Sequence, residues 1–409
     1  MAYENRGIVY LRRKLNKKRN RVNLRYRYYE MKNYAPILGL SVPSSLKSWT
    51  VSLGWCAHAV DDLADRMIFR EFRNDILDMN EIFQQNNPDI FFDSAILSAL
   101  IAACSFVYIF KSASGEPRLQ VIDGGNATGI IDEITGLLDE GYAVLKRNDD
   151  GSPVEEAWFT KEATVYFSRG KEYRRDPNNT GHPLLVPIIN RPDAKRPFGH
   201  SRISRACMSI QDKAVNVVLR SEVSAEFYSF PQKYVTGLSQ DAETAEAWAA
   251  SMSSFLMMTK DEDGDSPKFG QFTQQSMEPH LAHLKMFASE FAGETGLTLD
   301  DLGFPSDNPS SSESIKAAHE ALRLRARKAQ RTFGSGFLNA GYLAACLRDD
   351  YRYERAAVYM TKPVWEPVFE PDAASIGLIG DGAIKLNQAV PGFFTSGTIR
   401  DLTGIEPGE

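Results

Sequence analysis

Between residues 202 and 230 the sequence holds neither glycine nor proline, and Pro231 then forces the backbone out of any helix. This stretch constrains the chain more than any other. An uninterrupted helix of that length is about 42 Å long, at about 1.5 Å per residue. Ile203, Cys207, Ile210, Ala214 and Val217 recur at spacings of three and four and predict one apolar stripe, with Ser201 and Ser204 as N-cap residues. Arg202, Arg205, Lys213, Arg220, Glu222 and Glu226 leave much of the girth polar. A thin stripe on so long a helix is poorly suited to the centre of a monomer's core. It predicts a strut that packs against other helices, later in the chain or in neighbouring copies.

A chain of 409 residues divides more naturally into two or three domains than one. The formal charge of -6 conceals an asymmetry between a basic amino terminus and an acidic remainder. Arg6, Arg12, Arg13, Lys14, Lys17, Lys18, Arg19, Arg21, Arg25 and Arg27 crowd residues 1–30, with Tyr3, Tyr10, Tyr26, Tyr28 and Tyr29 among them. Two readings fit: an amphipathic helix with a basic solvated face, or a surface for nucleic acid or an acidic partner. Cys56, Cys104, Cys207 and Cys346 are far apart, form no CxxC and read as buried thiols. No apolar h-region opens the chain, and its most apolar run, 90–110, is too broken for a membrane span. The expectation is a soluble protein.

Along the chain, 49–83 reads mostly helical and 91–104 as a second helix. Asp61, Asp62 and Asp65 lie on the first beside Arg66; such a cluster either holds a metal or is solvated and ion-paired. From Ser105 the period shortens. Strands are predicted at 105–110, 118–123, 141–147, 154–160, 164–167 and 184–189, with Asp150-Gly151 as a hairpin turn. After Pro231 come a strand at 232–237, a helix at 242–251, a strand at 255–259 and an acidic turn carrying Asp261, Asp263 and Asp265. That turn is not a calcium loop, because Ser266 and Phe272 stand where glycine and glutamate are needed. A helix at 277–293 follows, its Leu281, Leu284, Phe287 and Phe291 periodic. The loop 298–312 is rich in acids, serine and proline, and a long helix at 313–347 is expected to kink at Gly334 and Gly336. Strands at 356–360 and 364–369 precede a partly helical tail.

Enzyme motifs are missing. Gly380-Asp381-Gly382 lacks the Lys-Ser/Thr of a phosphate loop, and there is no GxSxG or HExxH. His280 and His283 are one turn apart but have no evident third ligand, and Leu281 and Leu284 explain the face by packing. No cofactor and no catalytic residue is expected. The fold class is α+β.

Several stretches, in order and spacing, resemble a known family. They are Tyr28-Tyr29-Glu30-Met31-Lys32-Asn33, Val60-Asp61-Asp62-Leu63-Ala64-Asp65-Arg66, Gly199-His200-Ser201-Arg202-Ile203-Ser204-Arg205 and Ser224-Ala225-Glu226-Phe227-Tyr228-Ser229-Phe230-Pro231-Gln232-Lys233-Tyr234. Further on come Ala288-Ser289-Glu290-Phe291-Ala292-Gly293-Glu294-Thr295-Gly296, Ser311-Ser312-Glu313-Ser314-Ile315-Lys316-Ala317-Ala318-His319-Glu320 and Trp365-Glu366-Pro367. Spread over most of 26–402, the set resembles the portal proteins of tailed double-stranded DNA phages, of the siphophage type.

The resemblance implies a portal fold. Residues 1–198 would form the wing, helices plus an antiparallel β insertion, and 199–230 the first stem helix with Ile203, Ile210 and Val217 in its packing. Residues 231–275 would be a small α/β clip tipped by Asp261, Asp263 and Asp265, and 276–297 the second stem helix. The tunnel loop would be 298–312, with Asp300, Asp301, Asp307, Ser310 and Ser311. The long channel helix would be 313–347, its Arg325, Arg327 and Lys328 contacting phosphate or pairing with acids such as Glu290 or Glu294 of a neighbour. Residues 348–372 would return to the wing, and 373–409 would be a short crown.

It further implies a ring of about twelve subunits in the virion, at one capsid vertex, assembled in the host cytoplasm. Double-stranded DNA would enter and leave through it. Terminase large subunit, a head–tail adaptor, and the major capsid and scaffolding proteins would be its partners. The protein would have no catalytic activity and no membrane contact. Arg12, Arg13, Lys17, Lys18 and Arg19 would touch DNA or capsid. A conduit should not grip its cargo, and the acids of the tunnel loop agree with that. The rival readings are a metal-dependent nucleic-acid-processing enzyme using Asp61, Asp62 and Asp65, and a capsid or adaptor protein without a channel.

Overall fold

A computed structural model describes residues 6–33, 49–229, 233–236, 268–271, 276–305, 312–369, 371 and 373–405. The expected elements at 242–251 and 255–259, and the acidic turn with Asp261, Asp263 and Asp265, lie outside the described residues, as do Asp307, Ser310 and Ser311. The architecture mixes helix and sheet, as the sequence predicts.

In chain order the elements begin with α1 (Ile8–Tyr29), α2 (Trp55–Ala64), β1 (Phe69–Arg73), α3 (Met79–Gln84) and α4 (Pro88–Ala102). Strands follow: β2 (Cys104–Lys111), β3 (Pro117–Ile122), β4 (Ala127–Ile131), β5 (Leu138–Arg147), β6 (Pro153–Phe159), β7 (Ala163–Ser168), β8 (Lys171–Pro177) and β9 (Leu185–Ile189). Then come α5 (Arg205–Ser229), β10 (Lys233–Thr236), β11 (Lys268–Gln271) and α6 (Glu278–Thr295). The chain ends with α7 (Ser312–Ala318), α8 (Glu320–Arg348), β12 (Lys362–Trp365), α9 (Ala373–Ala389) and α10 (Ser396–Thr403).

Two compact units result. One comprises Met1–Tyr34, Ser52–Gln211 and Ala288–Glu409; the other comprises Ala35–Val51 and Asp212–Phe287. Among the described residues the first holds three sheets. The five-stranded sheet runs β4-β5-β6-β7-β8, the three-stranded sheet β3-β2-β9, and β1 pairs with β12, all antiparallel. The Asp150-Gly151 hairpin forms between β5 and β6 as predicted: Gly151 adopts φ 80° and its N–H donates to Asn148 O. In the second unit β10 and β11 pair antiparallel.

The structure corrects the sequence reading at several places. Residues 49–83 are not one helix; β1 interrupts them, and Phe69 joins an aromatic cluster with Phe92 (ring centroids 4.2 Å) and Trp365 (5.4 Å). Three strands escaped prediction among the described residues of the first unit: β1, β4 and the edge strand β8. The segment expected as a strand at 356–360 is largely a 3-10 turn, Arg355–Val358. The long helix does not kink at its glycines. It breaks at His319, between α7 and α8, and α8 runs unbroken through Gly334 and Gly336. Those glycines serve close approach instead. A Cβ on Gly334 would stand 2.5 Å from Pro363 Cγ, and one on Gly336 2.8 Å from Ile188 Cδ1. The helix thereby lies directly on β12 and β9, with Phe333, Phe337 and Ala340 buried along it.

Gly334→Ala should therefore cost about 1–3 kcal/mol through overpacking. Gly380→Ala in α9, where a Cβ meets nothing within 4 Å, should be neutral or gain up to about 1 kcal/mol in helix propensity. Urea denaturation midpoints at unchanged slope check both.

Candidate functional site

The basic helix α1 is bound to the five-stranded sheet by two buried carboxylates. Glu140, on β5, accepts from the backbone N–H of Arg6 (2.8 Å) and Gly7 (2.9 Å), both of which precede the helix, and from Trp158 Nε1 (2.7 Å). Glu156, on β6, takes both Arg12 guanidinium contacts (2.9 and 2.7 Å) and the Tyr142 hydroxyl. Burial opposes the Arg12 charge, but Glu156 more than offsets it and holds the guanidinium pKa above its ordinary value. Lys14 donates to Gly129 O (2.6 Å) and lies over Phe198; burial, with Lys18 and Arg6 nearby, lowers its pKa. Lys18 reaches Cys104 Sγ (2.9 Å) and lies over Phe106 and Phe198. Leu11, Leu15 and Val22 complete the inward face.

Of the five basic residues proposed for DNA or capsid contact, Arg12 and Lys18 are thus tied to the chain itself. Arg19 is half-buried, with Nη2 3.3 Å from where a Gly151 Cβ would stand. Arg13 and Lys17 remain exposed. Arg21, four residues beyond Lys17, and Arg27 are exposed as well, and the helical period could have found them. The outward face of α1 carries Arg13, Lys17, Arg21 and Arg27.

The expected tunnel loop starts as a 3-10 turn, Asp300–Leu302. Asp300 is exposed. Asp301 is turned onto its own chain: Oδ2 accepts from Thr298 N (2.8 Å), and Oδ1 meets His319 Nε2 at 3.3 Å. Burial alone would raise its pKa; the hydrogen bonds from Thr298 and His319 outweigh that and lower it. Asp301 therefore fixes the start of the loop to the break between α7 and α8. On α8, Arg327 and Lys328 are exposed. Arg325 is half-buried and donates Nη1 to the backbone oxygen of Glu294 in the same chain (2.8 Å). The Glu294 carboxylate accepts from Ser204 Oγ (2.9 Å).

The opening helix is shorter than 202–230. It begins at Arg205, capped by Ser204, whose Oγ accepts from Cys207 N (3.1 Å); Ser201 instead donates to Ile101 O. Arg202, expected on a solvated girth, is 8% exposed and spans two backbone carbonyls, Ala59 O (3.0 Å) and Thr295 O (2.6 Å). Desolvation, with Arg325 and Arg191 nearby, brings its pKa down to about 10. Ile203, Cys207, Ile210, Ala214 and Val217 are all buried, and so are Val215, Leu219 and Val223. The buried face is wider than the predicted stripe and is closed within one chain. A charge at Ile210 or Val217 would therefore unsettle the chain itself. Leu281, read as packing, is 60% exposed, and Met286 on the same helix is exposed too.

Asp61 accepts from the Tyr29 hydroxyl (2.9 Å), and burial with that contact raises the tyrosine pKa to about 12. Asp62 lies 3.5 Å from His58 Nδ1. Among the described residues no group of three or more His, Cys, Asp or Glu is placed to hold a metal ion. The four cysteines are buried and free, as predicted, and no described helix is long and apolar enough to cross a membrane.

Comparison with known proteins decides what this arrangement is. The family model for the phage portal protein, SPP1 Gp6-like, matches residues 9–372. The chain belongs to that portal family. A portal protein of Mycobacterium phage D29 is 24% identical over 339 residues, which is 78% of this chain and 69% of the relative. One of Mycobacterium phage L5 is 23% identical over 386 residues, 88% and 77% respectively. Among solved structures, a chain of the native gene transfer agent virion aligns with TM-score 0.47 at 16% identity, over 87% of this chain and 90% of its own. A chain of the native particle's neck, with C12 symmetry, gives 0.46 at 15%, over 94% and 99%. Family membership makes this a structural component of a phage particle with a portal-vertex role.

Two predictions follow from the anchoring of this portal chain. Glu156→Ala leaves Arg12 and Tyr142 without their acceptor and should cost about 2–4 kcal/mol, whereas Arg13→Ala and Lys17→Ala should stay within about 0.5 kcal/mol; thermal denaturation separates them. Asp301 has a folded-state pKa below its ordinary 3.8, so its stabilisation is present above that value and is lost as pH falls through the folded one. The stability gap between wild type and Asp301→Asn should be full at neutral pH and shrink in acid below about pH 4.

Proposed function

We propose that copies of this chain close into a ring of about twelve subunits, through which double-stranded DNA is packaged into and leaves the capsid. The observation that carries this reading is the portal family match, which runs through α1, the β insertion, α5, α6 and α8 without leaving a major described element before residue 372 unaccounted for. In this reading 1–198 and 348–372 form the wing, α5 and α6 the stem, 231–275 the clip, 298–312 the tunnel loop, α8 the channel-side helix and 373–409 a short crown. Terminase large subunit and a head–tail adaptor dock on the ring in turn, and capsid and scaffolding proteins surround it. Assembly takes place in the host cytoplasm. The chain's role is mechanical and electrostatic, with no catalytic step.

The exposed apolar residues support assembly. Leu281 and Met286 on α6, and Leu324 on α8, are large side chains that a single copy leaves in water. Each gains by burial against a neighbour, at about 25 cal/mol per Å² of apolar surface covered. Closed cyclic assembly repeats one such heterologous contact around an axis. The inner side of a conduit must also let DNA slide, which favours the exposed Asp300 at the loop's start over a cationic collar.

Electron microscopy of the purified protein tests the reading. A ring of about a dozen subunits with a central hole is expected; a compact monomer or dimer at micromolar concentration overturns it. Leu281→Arg should abolish or weaken the ring in size-exclusion chromatography while leaving the melting temperature of the dissociated chain within about 2 °C, because that side chain is already solvated in a single copy.

A further inference from the structure

A part-open cavity of about 190 Å³ lies between α8, the loop after β9 and α2, lined by Leu63, Asn190, Arg191, Arg202, Leu324, Arg325, Lys328 and Ala329. Four of those residues are cations and none is an acid. Arg202 is buried in its wall, Arg325 half-buried, and Arg191 and Lys328 exposed. We infer that this cavity is a binding site for a dianionic phosphate group, either inorganic phosphate or a phosphomonoester such as the 5′-terminal phosphate of a DNA strand.

The wall is a built one. Arg202 Nε and Nη2 are fixed on Ala59 O and Thr295 O, which leaves Nη1 with no hydrogen bond to the described residues. Arg325 is fixed by Glu294 O through one Nη1 contact, and its guanidinium lies where a Cβ on Gly296 would stand 3.1 Å from Cζ. Glycine at 296, with φ 74°, is what admits that guanidinium. Guanidinium groups held in this way present planar N–H pairs to an oxyanion without further ordering cost.

The charge count selects the ligand. Arg191, Arg202, Arg325 and Lys328 bring four positive charges. Asp62 acts on Arg202, and Glu294 on Arg325, from outside the lining. The lining itself holds no carboxylate, so a phosphate dianion meets more of its charge than a single carboxylate does. Burial first, and then the like charges of Arg325 and Arg191, press on the Arg202 guanidinium, and a bound anion relieves that repulsion. With about 30 Å³ per water in the liquid, the volume admits one tetrahedral oxyanion and a few waters, not a duplex. This inference does not depend on ring formation.

The test uses the full chain in chloride buffer of fixed ionic strength, followed by differential scanning calorimetry. Millimolar inorganic phosphate should raise the melting temperature by a few degrees relative to acetate, by mass action on the folded state. The double variant Arg191→Gln/Lys328→Gln, altered only at the exposed rim, should keep its melting temperature in chloride and lose the phosphate response. No response of the wild type beyond acetate, or an unchanged response in the double variant, overturns the site. An equal response to acetate would assign the cavity to a neighbour's carboxylate and also overturn it. Competition by oligonucleotides then identifies the source. Displacement by the 5′-phosphorylated strand alone supports a DNA end, and displacement by neither strand supports free phosphate. Equal displacement by phosphorylated and 5′-hydroxyl strands would place a backbone phosphodiester there and overturn the dianion.

Discussion

The Arg202 guanidinium is the fastening on which the larger unit depends. It donates to Ala59 O within α2 and to Thr295 O at the end of α6, and Arg202 itself lies just before α5 begins. Three helices thus meet at one side chain. Carbonyls in a helix's last turn have no intrahelical donor, and a buried one left unpaired is costly. A guanidinium answers this because its fork points in fixed directions and its charge resists loss even when desolvated. Its neighbours reinforce the arrangement: Ser204 caps α5 and also donates to Glu294, while Gln211 accepts the backbone N–H of Cys56 (2.7 Å). The helix ends are tied by polar contacts because apolar packing alone does not specify where an end must stop.

The same logic explains how a strongly basic helix can lie on a sheet. Glu140 and Glu156 are buried carboxylates, each with several donors, so neither is an isolated charge. Removing acceptors from such a network exposes its full desolvation cost, which is why the inward half of α1 is structural. The outward half, with Arg13, Lys17, Arg21 and Arg27, carries charge that the fold does not consume. Basic composition alone could not divide these two groups. The division depends on which residues meet β2, β4, β5 and β6, and the partners on those strands lie from 86 to 144 positions away in sequence.

Much of the fold was nonetheless legible. The apolar run at 105–110 and the Asp150-Gly151 turn each impose their structure locally, and each appears where the residues predict. The misses have a common cause. Strand β8, Lys-Glu-Tyr-Arg-Arg-Asp-Pro, is an exposed edge strand with no apolar period, and only pairing with β7 makes it a strand. Strand β1 carries two phenylalanines that read as part of a helix until the aromatic cluster with Phe92 and Trp365 exists. Gly334 and Gly336 read as breakers by propensity, yet their lack of a side chain is what lets α8 touch Pro363 and Ile188. Arg202 read as solvated because sequence periodicity does not reveal a carbonyl waiting in another helix. The portal resemblance was legible from ordered short stretches, while the cationic cavity was not, since Arg191, Arg202 and Arg325 converge only through the tertiary fold.

These corrections relocate the surface on which assembly must rest. A stripe that looked too thin for a monomer proved to be one edge of a broad buried face on α5, closed inside a single copy. Residues already buried have no further apolar area to give, so they cannot drive association, however well they are placed along a strut. The driving area has to come from side chains that the lone chain leaves wet. Among the described residues of the helices concerned these are Leu281 and Met286 of α6 and Leu324 of α8. Leu324 also borders the cationic cavity, beside Arg325 and Lys328. An exposed apolar side chain and a cationic cluster therefore share one rim. Covering that rim with a neighbour would strengthen every electrostatic interaction beneath it by excluding water. In the proposed ring, a neighbour over that rim would link subunit association to occupancy of the cavity, and an anion held there would stabilise the contact that encloses it.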